Sequence, residues 1–221
     1  MAAVTLATLR SRARSRADMV NDTFVTDAEF NDFLNESAGG LYNLLVVKYE
    51  DYYLTESSLT FQGETATLPA DFYKLLGVDV QEGGRWRPLH PYTWQQRNEL
   101  RNATGSGCTT RYRLRGQRTL HFLPPFASST AGKVTYIPQR PLLTSDADTV
   151  DFLMGWEKYV VLEAAIQALA KAERATGKLD EELAKVRAEV EAAAPQRTPT
   201  QVERVHDIHS AGHDPYNSRE G

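Results

Sequence analysis

Arginine is the residue whose type and spacing carry the strongest chemical signal in this chain. Between positions 85 and 118 the sequence places eight arginines against one acidic residue, Glu99, although the whole chain has a net charge of -4. A guanidinium group presents a planar fork of donors that matches carboxylates and phosphates. A local basic surface is therefore predicted on an acidic protein. Its predicted contact residues are Arg85, Arg87, Arg111, Arg113, Arg115 and Arg118.

Alternation sharpens this prediction at Arg111, Arg113 and Arg115, which would share one face of a strand. Such a row suits an acidic protein partner or the phosphates of DNA, and a merely solvated face is an equal alternative. Neighbouring aromatic rings could stack on bases, although aromatics at this density are more often core or interface residues. These rings belong to Trp86, Tyr92, Trp94 and Tyr112.

Signals for catalysis are weak. His206, His209 and His213 have a spacing that a helix could gather as metal ligands, but the segment offers no scaffold to fix them. Cys108 is the single cysteine, so an intrachain disulfide is excluded. Nucleotide-binding, hydrolase and metalloprotease motifs are absent from the sequence. We therefore predict a protein that is not an enzyme and needs no cofactor.

The best-signalled element is a helix that begins at Thr26. Thr26 and Glu29 have the spacing of a capping box, and apolar residues then recur at steps of three and four. Gly39 and Gly40 interrupt the pattern, which suggests a bend or the close approach of another backbone. An earlier helix carries an apolar stripe at Leu6, Leu9, Ala13, Ala17 and Val20, with its arginines expected on a solvated face.

From Ser57 the apolar period shifts to two, which predicts a small β lobe. The predicted pieces are a hairpin at 59–61 and 66–68, a strand at 76–80 returning at 86–89, a short helix at 92–100, a hairpin at 111–115 and 119–122, and a final strand at 133–137. Helical periodicity then returns at Asp151, and Gly177 is read as the stop before a fourth helix.

The helix from Phe152 to Leu169 is apolar on more than one face and must be covered from several directions. Trp156, Tyr159 and Ile166 are its candidate subunit-interface residues, and a wholly intrasubunit helix is equally compatible with the pattern. After Pro195 the chain has too few apolar residues for a core of its own, so it is predicted to gain order by binding. Its candidate anchors are Val202, Val205, Ile208 and Tyr216.

Together these elements predict an α+β, mainly helical fold: a four-helix bundle-like core with an inserted small antiparallel β lobe and an extended C-terminal tail. The predicted boundaries are 1–56 with 151–194 for the helices, 57–150 for the lobe and 195–221 for the docking tail. No apolar run is long enough to span a bilayer, so no membrane partner is predicted. Synthesis in a host cytoplasm is the default expectation.

Two phrases resemble a known family. TDAEFNDFLNE at 26–36 and LPADFYKLLGV at 68–78, with the closing helices and free tail, resemble the head-to-tail adaptor proteins of tailed bacteriophages. The resemblance implies a structural virion protein in the neck. It implies a ring, commonly of twelve copies, that docks on the portal, offers the tail or nozzle proteins an attachment surface, and lets packaged DNA pass without sequence-specific binding.

Two other functions stay open at this stage. A tail tubular or tail-terminator protein of the same neck would have a similar layout. A cytoplasmic nucleic-acid-binding protein would use the basic run from Arg85 to Arg118 and would show a steep salt dependence of DNA affinity. In the adaptor interpretation, closely spaced arginines along a DNA channel would hinder sliding, so contact with an acidic protein surface is the favoured role for the basic residues.

Overall fold

The computed structural model of the chain describes residues 4–103, 109–150 and 155–194. The helices within those residues are α1 Leu6–Arg16, α2 Asp27–Lys48, α3 Arg97–Asn102, α4 Glu157–Lys171 and α5 Gly177–Ala193. The strands are β1 Val4–Thr5, β2 Thr55–Thr67, β3 Phe72–Glu82, β4 Arg85–Pro88, β5 Arg111–Arg115, β6 Thr119–Pro138 and β7 Thr149–Val150. Short 3₁₀ helices lie at Glu50–Tyr53 and Trp94–Gln96.

A five-stranded antiparallel sheet is organised around β6. The strand order is β2-β6-β3-β4, and β5 pairs with β6 alongside this path. The first part of β6 pairs with β5 and the last part with β3, while β2 follows nearly its whole length. A separate two-stranded ladder joins β1 to β7. The sheet thus depends on one long strand that contacts three others.

This architecture corrects the predicted fold class. The description as mainly helical, with a four-helix bundle-like core and a small β lobe, is wrong, because 43% of the structure is helical and 32% is strand. The molecule is a mixed α+β fold with a five-stranded antiparallel sheet. Strand content was underestimated because β2 and β6 are each continuous where the sequence predicted shorter pieces.

Gly63 explains why the sequence predicted a hairpin where the structure has the single strand β2. The residues around it form an irregularity in the pairing with β6, and Gly63 has a φ of 70°, a left-handed conformation that glycine adopts readily. The sequence around this bulge has the composition of a turn, so a hairpin was predicted at 59–68. Instead both halves of β2 pair with β6, since Leu59 lies opposite Gly132 and Ala66 opposite Leu120.

The beginning of α2 confirms the predicted capping box. The Thr26 hydroxyl accepts a hydrogen bond from the Glu29 amide, and the Glu29 carboxylate accepts one from the Thr26 amide. The helix then runs without interruption through Gly39 and Gly40. Side chains approach these glycines: an added Cβ would lie 3.1 Å from Arg140 Nε at Gly39 and 3.5 Å from a Glu163 carboxylate oxygen at Gly40. Side chains, and not another backbone, are therefore the nearest neighbours of both glycines.

The arginines of α1 are not all solvated. The Arg10 and Arg14 side chains are only 15% and 13% exposed, and Arg10 donates to both carboxylate oxygens of Asp146 at 2.7 and 3.0 Å. Arg14 donates to three carbonyl oxygens of the connection to α2, namely those of Met19, Asp22 and Val25. Val20 of the predicted apolar stripe lies beyond α1 and is 64% exposed.

The last two helices also differ from prediction at their ends. α4 begins at Glu157, while positions 151–154, including Phe152, lie outside the described residues. Gly177 is the first residue of α5 and not a stop, because α4 has already ended at Lys171 and Glu173 turns the chain with a φ of 54°.

Two hydrophobic clusters fill the molecule. The helical cluster joins α1, α2, α4 and α5, and α4 is buried on more than one face, since Val160, Leu162 and Ala165 all belong to the cluster. The sheet cluster is centred on Phe61, Phe122 and Val134. No helix within the described ranges is long and apolar enough to cross a membrane.

Candidate partner-binding surface

Trp94 is the centre of the most distinctive surface feature. It opens the 3₁₀ helix Trp94–Gln96, which the Thr93 amide stabilises by donating to the Gln96 side-chain oxygen at 3.0 Å. The following turn is α3, so Arg97 comes round to Trp94 and places its guanidinium carbon 4.7 Å from the indole centroid. The ring nevertheless remains 45% exposed. Local helical geometry therefore holds a large aromatic side chain at the surface beside a cation.

Strand β5 brings two more guanidinium groups to the same ring. Arg113 and Arg115 are two positions apart, and their guanidinium carbons lie 5.8 and 5.1 Å from the Trp94 centroid. Arg113 also donates to the Tyr92 carbonyl oxygen at 3.4 Å. A ring with three guanidiniums within 6 Å is a concentrated positive site on an acidic chain. Trp94, Arg97, Arg101, Arg113 and Arg115 are called the Trp94 cluster below.

His121 on β6 forms the floor of this cluster. The residue is 4% exposed, and its Nδ1 lies 2.8 Å from the Tyr92 hydroxyl. Burial lowers the pKa of His121 below its ordinary value of 6.5, and the nearby Arg115 charge lowers it further, against the opposing effect of Glu64. The imidazole is therefore mainly neutral at pH 7, and the guanidiniums supply the positive charge of the site.

A small cavity of about 160 Å³ opens between these groups. It is lined by Tyr92, Trp94, Arg97, Asn98, Arg101, Arg115, His121 and Leu123. One carboxylate of the chain lies at its edge: a Glu64 oxygen is 3.9 Å from Arg101 and another is 3.8 Å from His121. Both separations are too long for hydrogen bonds. The site therefore combines guanidinium groups at its rim with an apolar wall. The carboxylate of Glu64 lies close to it but forms no hydrogen bond with Arg101 or His121.

The structure does not bring all the predicted basic residues together. Arg113 and Arg115 face Trp94, whereas Arg85 and Arg87 lie exposed on β4, where Arg87 pairs with Glu82 at 3.4 Å. Arg118 is exposed in the turn after β5, and Arg111 is half-buried. Arg97 and Arg101 were not among the predicted contact residues, although they lie inside the arginine-rich run, and Trp94 was named only as a ring that could stack on bases. The i, i+3 spacing of Trp94 and Arg97 was the available signal.

The other predicted site residues have separate surroundings. Tyr159 is buried on α4 and Ile166 is half-buried there, while Trp156, just before α4, is half-buried and packs against the helical cluster. The tail residues Val202, Val205, Ile208 and Tyr216, the histidines at 206, 209 and 213, and Cys108 lie outside the described residues. The described part of the chain contains no cluster of three or more His, Cys, Asp or Glu suited to a metal ion.

Arginine and tryptophan are residue types that are enriched where proteins contact one another. Comparison with family models matches residues 4–204 to the family described as SU10 adaptor protein. The chain belongs to that family, and it is therefore a phage adaptor-type protein and a structural component of the virion. No curated protein matches it. The predicted resemblance to phage adaptors is confirmed at this level.

Proposed function

We propose that the chain is a head-to-tail connector subunit that forms a ring, docks on the portal and links the phage capsid to the tail. The observation that carries this proposal is the family match, which extends from β1 through α5 and into the C-terminal segment. An adaptor-type protein with a structural role acts through association and not through turnover. The predicted ring, commonly of twelve copies, belongs to the same proposal.

The surface of the molecule supports a role in association. Large apolar side chains are exposed at several separate places, namely Val20, Phe24, Val47, Leu54, Tyr73, Trp86, Trp94, Leu114 and Leu142. A closed ring needs a heterologous interface, in which one surface fits a different surface of the next copy. One subunit offers several different exposed surfaces that could form this interface. They lie near the α1–α2 connection, at the end of α2 and on the sheet.

The C-terminal tail is the proposed portal-docking arm. Its anchors Val202, Val205, Ile208 and Tyr216 are separated by polar residues, a composition that gains order on binding. Arg85, Arg87, Arg111 and Arg118 remain proposed contacts to partner proteins or DNA. Trp156, Tyr159 and Ile166 remain proposed interface residues. Residues 57–150 remain proposed as an inserted unit between two helical segments.

Co-sedimentation with the portal ring encoded in the same genome tests this function. The full chain is compared with a chain truncated after Ala194 and with a full-length variant in which Val202, Val205, Ile208 and Tyr216 are replaced by Ser. We expect saturable binding by the full chain and loss of binding in both altered forms. Binding to purified tails but not to the portal would favour a tail tubular or tail-terminator protein. Binding to DNA alone would favour the nucleic-acid-binding alternative.

A further inference from the structure

The cavity at the Trp94 cluster has room for only a small group. Its cavity of about 160 Å³ lies below the range of roughly 300–1,000 Å³ that is typical of small-molecule sites. A nucleotide or cofactor would therefore not fit within it. A single protein side chain would, and fully desolvated pockets that receive one anchor are typical of binding hot spots.

The residues that line the cavity favour an acidic side chain as the bound group. Arg97, Arg101 and Arg115 line the cavity, and fork-shaped guanidiniums bind carboxylates through paired hydrogen bonds. Leu123 and the indole of Trp94 provide an apolar wall against which the methylene groups of a Glu or Asp can pack. Glu64 already lies at ion-pair distance from two members of the lining but forms no hydrogen bond with either at 3.8 and 3.9 Å. Arg97 donates to the Trp94 carbonyl oxygen at 2.9 Å, but Glu64 does not satisfy the hydrogen-bond donors of Arg101.

Base stacking on Trp94 fits the geometry less well. Three guanidiniums already lie within 6 Å of the ring centroid, so a nucleobase that stacked on the indole would compete with these cations for its surface. A carboxylate binds the guanidiniums themselves and does not compete for the indole surface.

We propose that the Trp94 cluster binds an acidic segment of a partner protein, one carboxylate of which enters the cavity between Arg97, Arg101 and Arg115. This inference rests on the proposed function in one respect, namely that a connector must bind other proteins of the particle. It adds the chemistry of one contact and the residues that make it.

The test uses the full chain with ¹⁵N-labelled tryptophan, a short Gly/Glu peptide as probe and a matching Gly/Gln peptide. The chain has three tryptophans, and the Trp94 indole signal is assigned with Trp94→Phe. We expect the Glu peptide to shift the Trp94 signal saturably, and the Gln peptide to leave it unchanged. Because paired charges supply the affinity, Arg97→Gln/Arg115→Gln should weaken binding by about tenfold or more.

Arg85→Gln/Arg87→Gln is the matched control, because it removes the same charge from exposed positions on β4 outside the cluster. Equal loss in both double variants, or no shift with the Glu peptide, would overturn the inference. Tighter binding of a single-stranded oligonucleotide at Trp94 would also overturn it, in favour of a nucleic-acid contact. If the peptide fails while tail-dependent portal binding persists, the inference is wrong and the proposed function stands. If the peptide binds at Trp94 but the chain does not bind the portal, the portal-docking role is wrong and the proposed contact with an acidic segment stands.

Discussion

Glu163 places a carboxylate between three helices. One of its oxygens would lie 3.5 Å from a Cβ at Gly40 of α2, and the nearby charged groups are Glu36 on α2 and Arg187 on α5. Burial raises the pKa of Glu163, while the hydrogen bond with the Tyr159 hydroxyl opposes this rise. Its Oε2 is buried without a hydrogen-bond partner among the described residues. Ionisation at this position therefore opposes folding.

Replacing Glu163 by Gln should stabilise the protein at neutral pH. Because the folded-state pKa is raised, wild-type stability falls as pH rises from the unfolded value near 4.5 through the folded value. The neutral amide avoids the cost of a poorly solvated charge, so we expect a gain on the order of 1 kcal/mol. Urea unfolding at pH 7.5 and pH 4 checks this: the gain should shrink at the lower pH. A gain that is independent of pH would contradict the assignment to ionisation.

Gly132 is a position in β6 where no side chain fits. It lies opposite Leu59 of β2 and Val80 of β3, and an added Cβ would meet the fully buried ring of Phe61 at 2.2 Å. Gly132→Ala should therefore destabilise the fold by about 1–3 kcal/mol through overpacking. Gly77→Ala is the matched control, because its nearest neighbour would be Thr135 Cβ at an ordinary 3.8 Å. Comparable losses in both variants, measured by urea unfolding, would contradict the steric explanation.

At the scale of elements, Arg14 organises the connection between α1 and α2. Its side chain donates to three carbonyl oxygens, pairs with Asp27 at 2.7 Å and lies 4.4 Å from the Phe30 centroid. Lysine keeps the charge but lacks the planar fork. Arg14→Lys should cost roughly 2 kcal/mol in the free energy of unfolding, since several charge-assisted hydrogen bonds are lost. Arg12→Lys, at an exposed position on the same helix, should have little effect. A similar cost in both would contradict this role.

The helices were more predictable than the sheet because their signals are local. The Thr26 capping box and the apolar period of α2 are properties of neighbouring residues, and both are confirmed. The pairing of β2 with β6 joins residues more than fifty positions apart, and the bulge at Gly63 imitates a turn in the sequence. Non-local pairing cannot be read from alternation alone.

In the candidate site, too, the local features were predictable and the non-local contacts were not. Alternation predicted that Arg111, Arg113 and Arg115 share a face, and the structure places Arg113 and Arg115 beside one ring. That the ring belongs to Trp94, and that His121 lies behind it, depends on how a 3₁₀ helix packs on β5 and β6. Tyr92 connects these elements, because its backbone N–H donates to the Tyr112 carbonyl oxygen and its hydroxyl contacts His121. No sequence spacing encodes those contacts.

At the scale of the whole molecule, the end of β6 joins the two hydrophobic clusters. Tyr136 belongs to the sheet cluster, whereas the next residue, Ile137, is fully buried in the helical cluster. The Tyr42 hydroxyl on α2 donates to the Pro138 carbonyl oxygen at 2.6 Å. Tyr73 on β3 donates to Asn43 at 2.9 Å. The helices and the sheet are thus connected by buried packing as well as by the chain.

We predict that this junction makes unfolding cooperative. In a Trp156→Phe background, far-UV circular dichroism reports the helices, and fluorescence of Trp86 and Trp94 reports the sheet side. The two urea transitions should coincide in a protein with an intact junction. Tyr42→Phe/Ile137→Ala removes the hydrogen bond and the buried side chain, so it should lower stability by about 2–5 kcal/mol and separate the two transitions.

Val134→Ala is the control that lowers stability without altering the junction between the helices and the sheet. Val134 is fully buried in the sheet cluster and pairs with Ser57 and Val78, away from the helices. Its truncation weakens the sheet core but leaves the contacts of Ile137 and Tyr42 in place, so both transitions should shift together to lower urea. Separate transitions already in the Trp156→Phe protein would show that residues 57–150 unfold as an independent unit. The junction would then be a contact between two domains, and not part of one cooperative structure.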